Sequence, residues 1–216
     1  MIKIQCSILE QVRKNPALHG QMLASNNGGS KGGSHGMFAY WQDVSLKVHS
    51  GEMNLNEGIK ELQKLFSRFD ETQKNLKKQD FLQDCFVQYH KLFEKNRYQL
   101  SDSKRRMNWN ITSSGLLTGL TPWVIKNNDR YCTYFVSEQQ FQWENELRFP
   151  LIQEYLAEKH SDEYDTTRLD VGIYCLETNT FNFKNFVREE LNDAVEETVG
   201  IFEKVEKVYN IFKLTS

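Results

Sequence analysis

Five carboxylates, Glu138, Glu144, Glu146, Glu154 and Glu177, fall between residues 138 and 177, and any two that converge could hold Mg²⁺ for a hydrolytic reaction. None of their spacings is diagnostic. The segment "SKRRMNW" offers a different chemistry, because Lys104, Arg105 and Arg106 can meet phosphates while Trp109 can stack on a base. The same three cations also suit a solvated loop just before a strand. His35 is the third candidate, set in the glycine-rich run "NNGGSKGGSHGMF" from Asn26 to Phe38.

That run is not a Walker A loop, which needs its lysine beside the helix start and a buried strand ahead of it. Here Lys31 lies between glycine pairs, and no apolar strand leads in, so a dinucleotide fingerprint is excluded as well. Three readings stay open: a flexible connector, an engineered join ahead of Met37, or a loop that delivers His35 to a helix N-terminus, where backbone amides can hold an anion.

The four cysteines, Cys6, Cys85, Cys132 and Cys175, stand 79, 47 and 43 residues apart, which is neither zinc nor iron–sulfur spacing. Three of them sit inside apolar patterns, so buried reduced thiols are expected. A net charge of −2 over 216 residues argues against a surface that is basic throughout, while leaving room for one basic groove. No apolar run reaches the roughly 20 residues that cross a bilayer, and "MIKIQCSILEQVRKNP" lacks a signal-peptide core; no membrane partner and a cytoplasmic location are expected.

The elements that must position these groups follow from hydrophobic period. Residues 6–15 suggest a short helix that Pro16 ends or redirects. Phe38, Trp41, Val44 and Val48 mark a helix near 37–49. Leu55, Ile59, Leu62 and Leu65 mark a second, capped at Asn54 or Asn56. Phe81, Leu82, Cys85, Phe86, Tyr89 and Phe93 place a third at about 79–95, antiparallel to the second. From 105 the period becomes two, with Met107 and Trp109 alternating against Arg106 and Asn108. "GLLTGLTPWVIK" then reads as one strand, an edge or bulged one because of Pro122, with "YCTYFVSE" as its return.

A helix follows in "QFQWENELRFPLIQEYLAEKH", either kinked at Pro150 or beginning there. "RLDVGIYCLE" and "FNFKNF" make a second hairpin, and an apolar stripe from Phe186 to Phe212 gives a closing helix roughly 45 Å long. The expected fold is therefore α/β, with α+β as the alternative. A central mixed sheet is flanked by helices in a single domain, 1–216, with a helical insertion at 53–95, a sheet-forming core at 105–184 and a C-terminal helix at 185–214.

In this order of elements the chain resembles the PD-(D/E)XK nuclease superfamily, in its RecB-like branch. Ser7, Leu9, Asn15 and Pro16 stand where that branch has its opening serine–leucine helix, and His35 matches a histidine that begins its next helix. "LTGLTPWVIKNNDRYCTYFVSE", "FPLIQEYLA" and "VGIYCLE" then keep the family's sequence of strands and helix. The catalytic residues depart from the pattern. Pro122 occupies the place of the metal-binding aspartate, the return strand has no acid-x-lysine, and Gln153 and Tyr155 are two residues apart where the family's pair is four apart.

The resemblance thus implies a non-catalytic accessory subunit of a nucleic-acid-processing or defence complex, using no cofactor. Such a subunit would touch DNA or RNA through Lys104, Arg105, Arg106 and Trp109, and a protein partner or second copy through the C-terminal helix. Two other readings remain: a Mg²⁺-dependent nuclease whose ligands have moved, with Glu138, Glu146 and His35 as its residues, or an α+β interaction module without nucleic-acid contact.

Overall fold

The computed structural model of the chain describes residues 1–25, 36–160 and 164–215. It is a mixed α/β arrangement with helices on both sides of the strands, as the hydrophobic periods imply, but the strands form two sheets. One sheet has three strands, β1 (Ile2–Gln5), β4 (Gly115–Leu120) and β3 (Arg106–Asn110), in that order. The other has five, in the order β2 (Gln99–Asp102), β5 (Trp123–Asn127), β6 (Arg130–Ser137), β7 (Leu169–Cys175) and β8 (Thr180–Lys184).

The division falls at Thr121 and Pro122. "GLLTGLTPWVIK" is therefore two strands: β4 pairs with β3 and β1, and β5 pairs with β2 and β6. Proline has no amide hydrogen to give a ladder, so the position where pairing changes partner is the one that tolerates it. Thr121 anchors the switch, exchanging hydrogen bonds with the Arg105 backbone: its hydroxyl accepts from the Arg105 amide at 2.9 Å, and its own amide donates to the Arg105 carbonyl at 2.8 Å.

The sheet-forming residues reach beyond 105–184. β1 runs parallel to β4, Ile2 opposite Gly115 and Gln5 opposite Thr118, and β2 closes the edge of the larger sheet against β5. After β1, a turn at Cys6–Ile8 leads into α1 (Leu9–Lys14), and α2 (Pro16–Ala24) follows at once. Pro16 redirects the chain here, with the Asn15 side chain accepting from the Leu18 amide at 3.0 Å as the new helix's cap. Gly20 brings α2 against the C-terminal helix, because a Cβ there would stand 2.7 Å from the Val205 carbonyl.

The helical arm consists of α3 (Met37–His49), α4 (Leu55–Phe66) and α5 (Gln73–Lys95). Asn54 and Glu57 form a capping box at the start of α4. α5 begins six residues ahead of the start expected at about 79, because Thr72 caps it by accepting from the Asn75 amide. The arm covers one face of the larger sheet: Trp41, Phe86, Tyr89 and Phe93 pack on Trp123, Tyr134 and Tyr174. Each such buried ring contributes about 2 kcal/mol by leaving water.

The opposite face meets α6 (Arg148–Lys159), which lies between β6 and β7 in sequence and makes their parallel pairing possible. Pro150 sits in its first turn, where no intrahelical donor is needed. The last helix, α7 (Arg188–Thr215), buries Leu191, Ala194, Thr198, Ile201, Phe202 and Val205 against the chain's own core. Most of its apolar stripe is thus consumed inside the fold rather than offered to a partner. Leu214, 88% exposed, marks the part that is not.

Candidate nucleic-acid interface

Alternation along the three-stranded sheet separates two faces. Ile2, Ile4, Met107, Trp109 and Leu117 point into the core shared with α6 and α7, while Lys3, Gln5, Arg106 and Asn108 lie on the other side. The registers align the second set: Thr118 stands between Gln5 on β1 and Asn108 on β3, and Arg106 is opposite Leu120. This face forms the floor of a groove of about 580 Å³, walled by Ser7, Phe135 and Arg148.

The groove lining contains Lys3, Arg106 and Arg148 and no carboxylate. Arg148 is ion-paired with Glu146 at 2.6 Å and lies over the rings of Phe135 and Phe149, which fix its guanidinium beside the groove. Lys3 and Arg106 are exposed and carry no ion pair among the described residues. Around them the polar groups are uncharged: Gln5, Ser7, Asn108 and Thr118 can donate or accept without repelling an anion.

The residues singled out from the sequence divide. Arg106 lies in the groove. Arg105 turns away to Asp102, with which it forms an ion pair, and to His160, whose Nδ1 it meets at 2.6 Å. Lys104 donates to Gln42 at 3.2 Å and sits 5.7 Å from the centre of the Trp123 ring. Trp109 is only 7% exposed and packs against Tyr155, so it is a core ring and cannot stack on a base. Its side of β3 faces α6, the side opposite Arg106.

His35 lies outside the described residues. Glu138 is held by Lys78 of the arm, which donates to its two oxygens at 2.8 and 3.2 Å, and Glu146 is held by Arg148. Glu154 pairs with Arg188 at 2.7 Å. Mg²⁺ needs carboxylate oxygens that converge and are free to bind it. Glu138, Glu146 and Glu154 are each committed to a different cation, and no group of three or more His, Cys, Asp or Glu among the described residues is placed to hold a metal.

All four cysteines are buried and free. Burial pushes the Cys6 and Cys132 thiols up to about 12 and Cys85 to about 11, so none of these three is a thiolate nucleophile. Gln153 is fully buried and serves structure: it donates to the carbonyls of Thr166 and Phe186 and accepts from the Phe186 amide, each at 3.0 to 3.2 Å. Tyr155, its neighbour in the sequence pattern, donates to the Arg106 carbonyl at 3.4 Å and so supports the strand that carries the groove arginine.

Lys3, Gln5 and Arg148 were not foreseeable as site residues from any local motif, and Ser7 stood out only through the family resemblance. The only trace is the alternation "IKIQ" at the N-terminus, a strand pattern four residues long. No protein-family model matches the chain, and no curated protein matches it.

Proposed function

We propose that this protein is a non-catalytic, nucleic-acid-binding subunit, working in a nucleic-acid-processing or defence complex. The observation that carries the reading is the groove on the three-stranded sheet, whose lining holds three cations and no acid although the chain as a whole is slightly acidic. Cations on a flat strand surface, interspersed with amide and hydroxyl groups, match the repeating phosphates of DNA or RNA. The ion-paired state of Glu138 and Glu146 favours binding over cleavage, because a phosphodiester is cut where free carboxylates fix a metal.

Fluorescence anisotropy of labelled DNA and RNA oligonucleotides across salt tests this. Affinity should fall as salt rises, with a log–log slope of about −2 for two to three phosphate contacts. Binding that is absent, or indifferent to salt, would overturn the proposal.

A protein partner is favoured by a separate observation. Leu18 and Met22 on α2 are 51% and 43% exposed, and α2 packs against α7, whose Leu214 is exposed as well. Light scattering after size exclusion distinguishes a second copy of the chain from a different partner: a dimer mass supports the first, and a monomer leaves the patch for another protein.

A further inference from the structure

Beside the groove lies a second, smaller pocket of about 190 Å³, and Leu120 and Phe135 line both, so the two adjoin. The chemistry changes across that boundary. Trp123, Tyr134, Pro122 and Val136 make the smaller pocket apolar and aromatic, and its polar groups are Gln42, Lys104 and Thr121. Trp123 is 2% exposed, and its indole N–H is buried without a hydrogen-bond partner, a donor left unsatisfied. Lys104 and the amide nitrogen of Gln42, whose oxygen already accepts from Lys104, add further donors at the same place.

We infer that this pocket takes one unstacked nucleobase of a single strand whose phosphates run along Lys3 and Arg106. The inference rests on the groove reading above and names its ligand more narrowly. A flat ring can lie against the partly exposed Leu120, Phe135 and Val136, with the buried edges of Trp123 and Tyr134 as the pocket's floor, and a base edge carrying carbonyl or ring-nitrogen acceptors answers a pocket whose free polar groups are donors. Leu120, 58% exposed between the cationic floor and the pocket, presents an apolar surface that a base or sugar can cover and a phosphate cannot. Duplex DNA keeps its bases stacked and out of reach of such a pocket, so the single strand is the form the geometry suits.

The test compares two ligands of equal length and charge on the unaltered protein: single-stranded oligothymidylate, and the same phosphodiester chain with every base removed. The two should show the same salt slope, with the abasic chain bound about tenfold more weakly. Val136→Phe, which fills the pocket from outside the groove, should abolish that difference while keeping the salt slope. Equal affinity for the two chains on the unaltered protein would overturn the base pocket and leave the phosphate groove standing. A folded Val136→Phe variant that still discriminates between them would also overturn it, by moving base recognition elsewhere. Loss of salt-sensitive binding to both chains would remove the groove reading and this one with it.

Discussion

Arg105 and Arg106 are consecutive and face different structures: Arg105 reaches Asp102 and His160, while Arg106 stands across the β3–β4 ladder from Leu120 on the groove floor. Alternation along an extended chain separates them. Charge reversal at Arg106 should therefore weaken oligonucleotide binding by about tenfold and reduce the salt slope by about one, with no loss of stability. Arg105→Ala should do the reverse, costing about 1 kcal/mol of stability through the abandoned Asp102 and leaving the slope intact. Anisotropy and urea denaturation on both variants check the pair, and equal effects on binding would refute the separation.

Gln153 joins three segments through one amide. Its oxygen takes the Phe186 amide and its nitrogen serves the carbonyls of Phe186 and Thr166, so α6 holds both the approach to β7 and the link from β8 to α7. Gln153→Leu keeps the volume and strands those backbone groups without partners. A loss of about 3 kcal/mol is expected, read as a lower urea midpoint at unchanged m-value. Oligonucleotide affinity, measured well below the transition, should not change.

Local pattern carried the sequence reading as far as local pattern decides the structure. The Asn54 cap, the Met107–Trp109 alternation and Pro150 at a helix start are all short-range effects, and each is found in the fold. β1 escaped because four residues carry little periodicity and its partner, β4, lies more than a hundred residues away. Pro122 announced an irregular strand, but only tertiary pairing shows that the chain changes sheets there.

The site was half legible for the same reason. Arg106 sits in a recognisable basic cluster, whereas Lys3 and Arg148 join it only through folding. Trp109 illustrates the opposite case: the alternation that placed it beside Met107 already implied burial, and its composition as an aromatic next to cations suggested the contrary role. An amphipathic stripe such as that of α7 states that one face is covered. It does not state by what, and here the answer is mostly the chain's own core.

Stability should fall in mild acid because of two histidines in the arm. His49 stacks on Phe93 at 3.8 Å between ring centres and lies 2.8 Å from the Tyr89 hydroxyl, which in turn meets the Tyr134 hydroxyl at 2.5 Å. His90 is wedged against Phe86, Tyr89 and His49. Burial holds His49 down at about 2, with the neighbouring His90 adding to the effect, and burial holds His90 down at about 4. Both are neutral in the folded protein at pH values where the unfolded chain, with an ordinary histidine pKa of about 6.5, is already protonated. The unfolded state then binds more protons, so stability is fully present above about pH 6.5 and declines as pH falls. Each histidine contributes a slope of about 1 kcal/mol per pH unit, both acting down to about pH 4 and His49 alone below it. Carboxylates add their own acid dependence, so the decisive measurement is a difference: urea unfolding free energies of the parent and of His90→Leu at a series of pH values between 7 and 4. The variant's curve should be shallower by about 1 kcal/mol per unit across that window. Parallel curves would mean that His90 gains its proton as readily inside the arm as outside it, and that the packing of α3 on α5 is open to water.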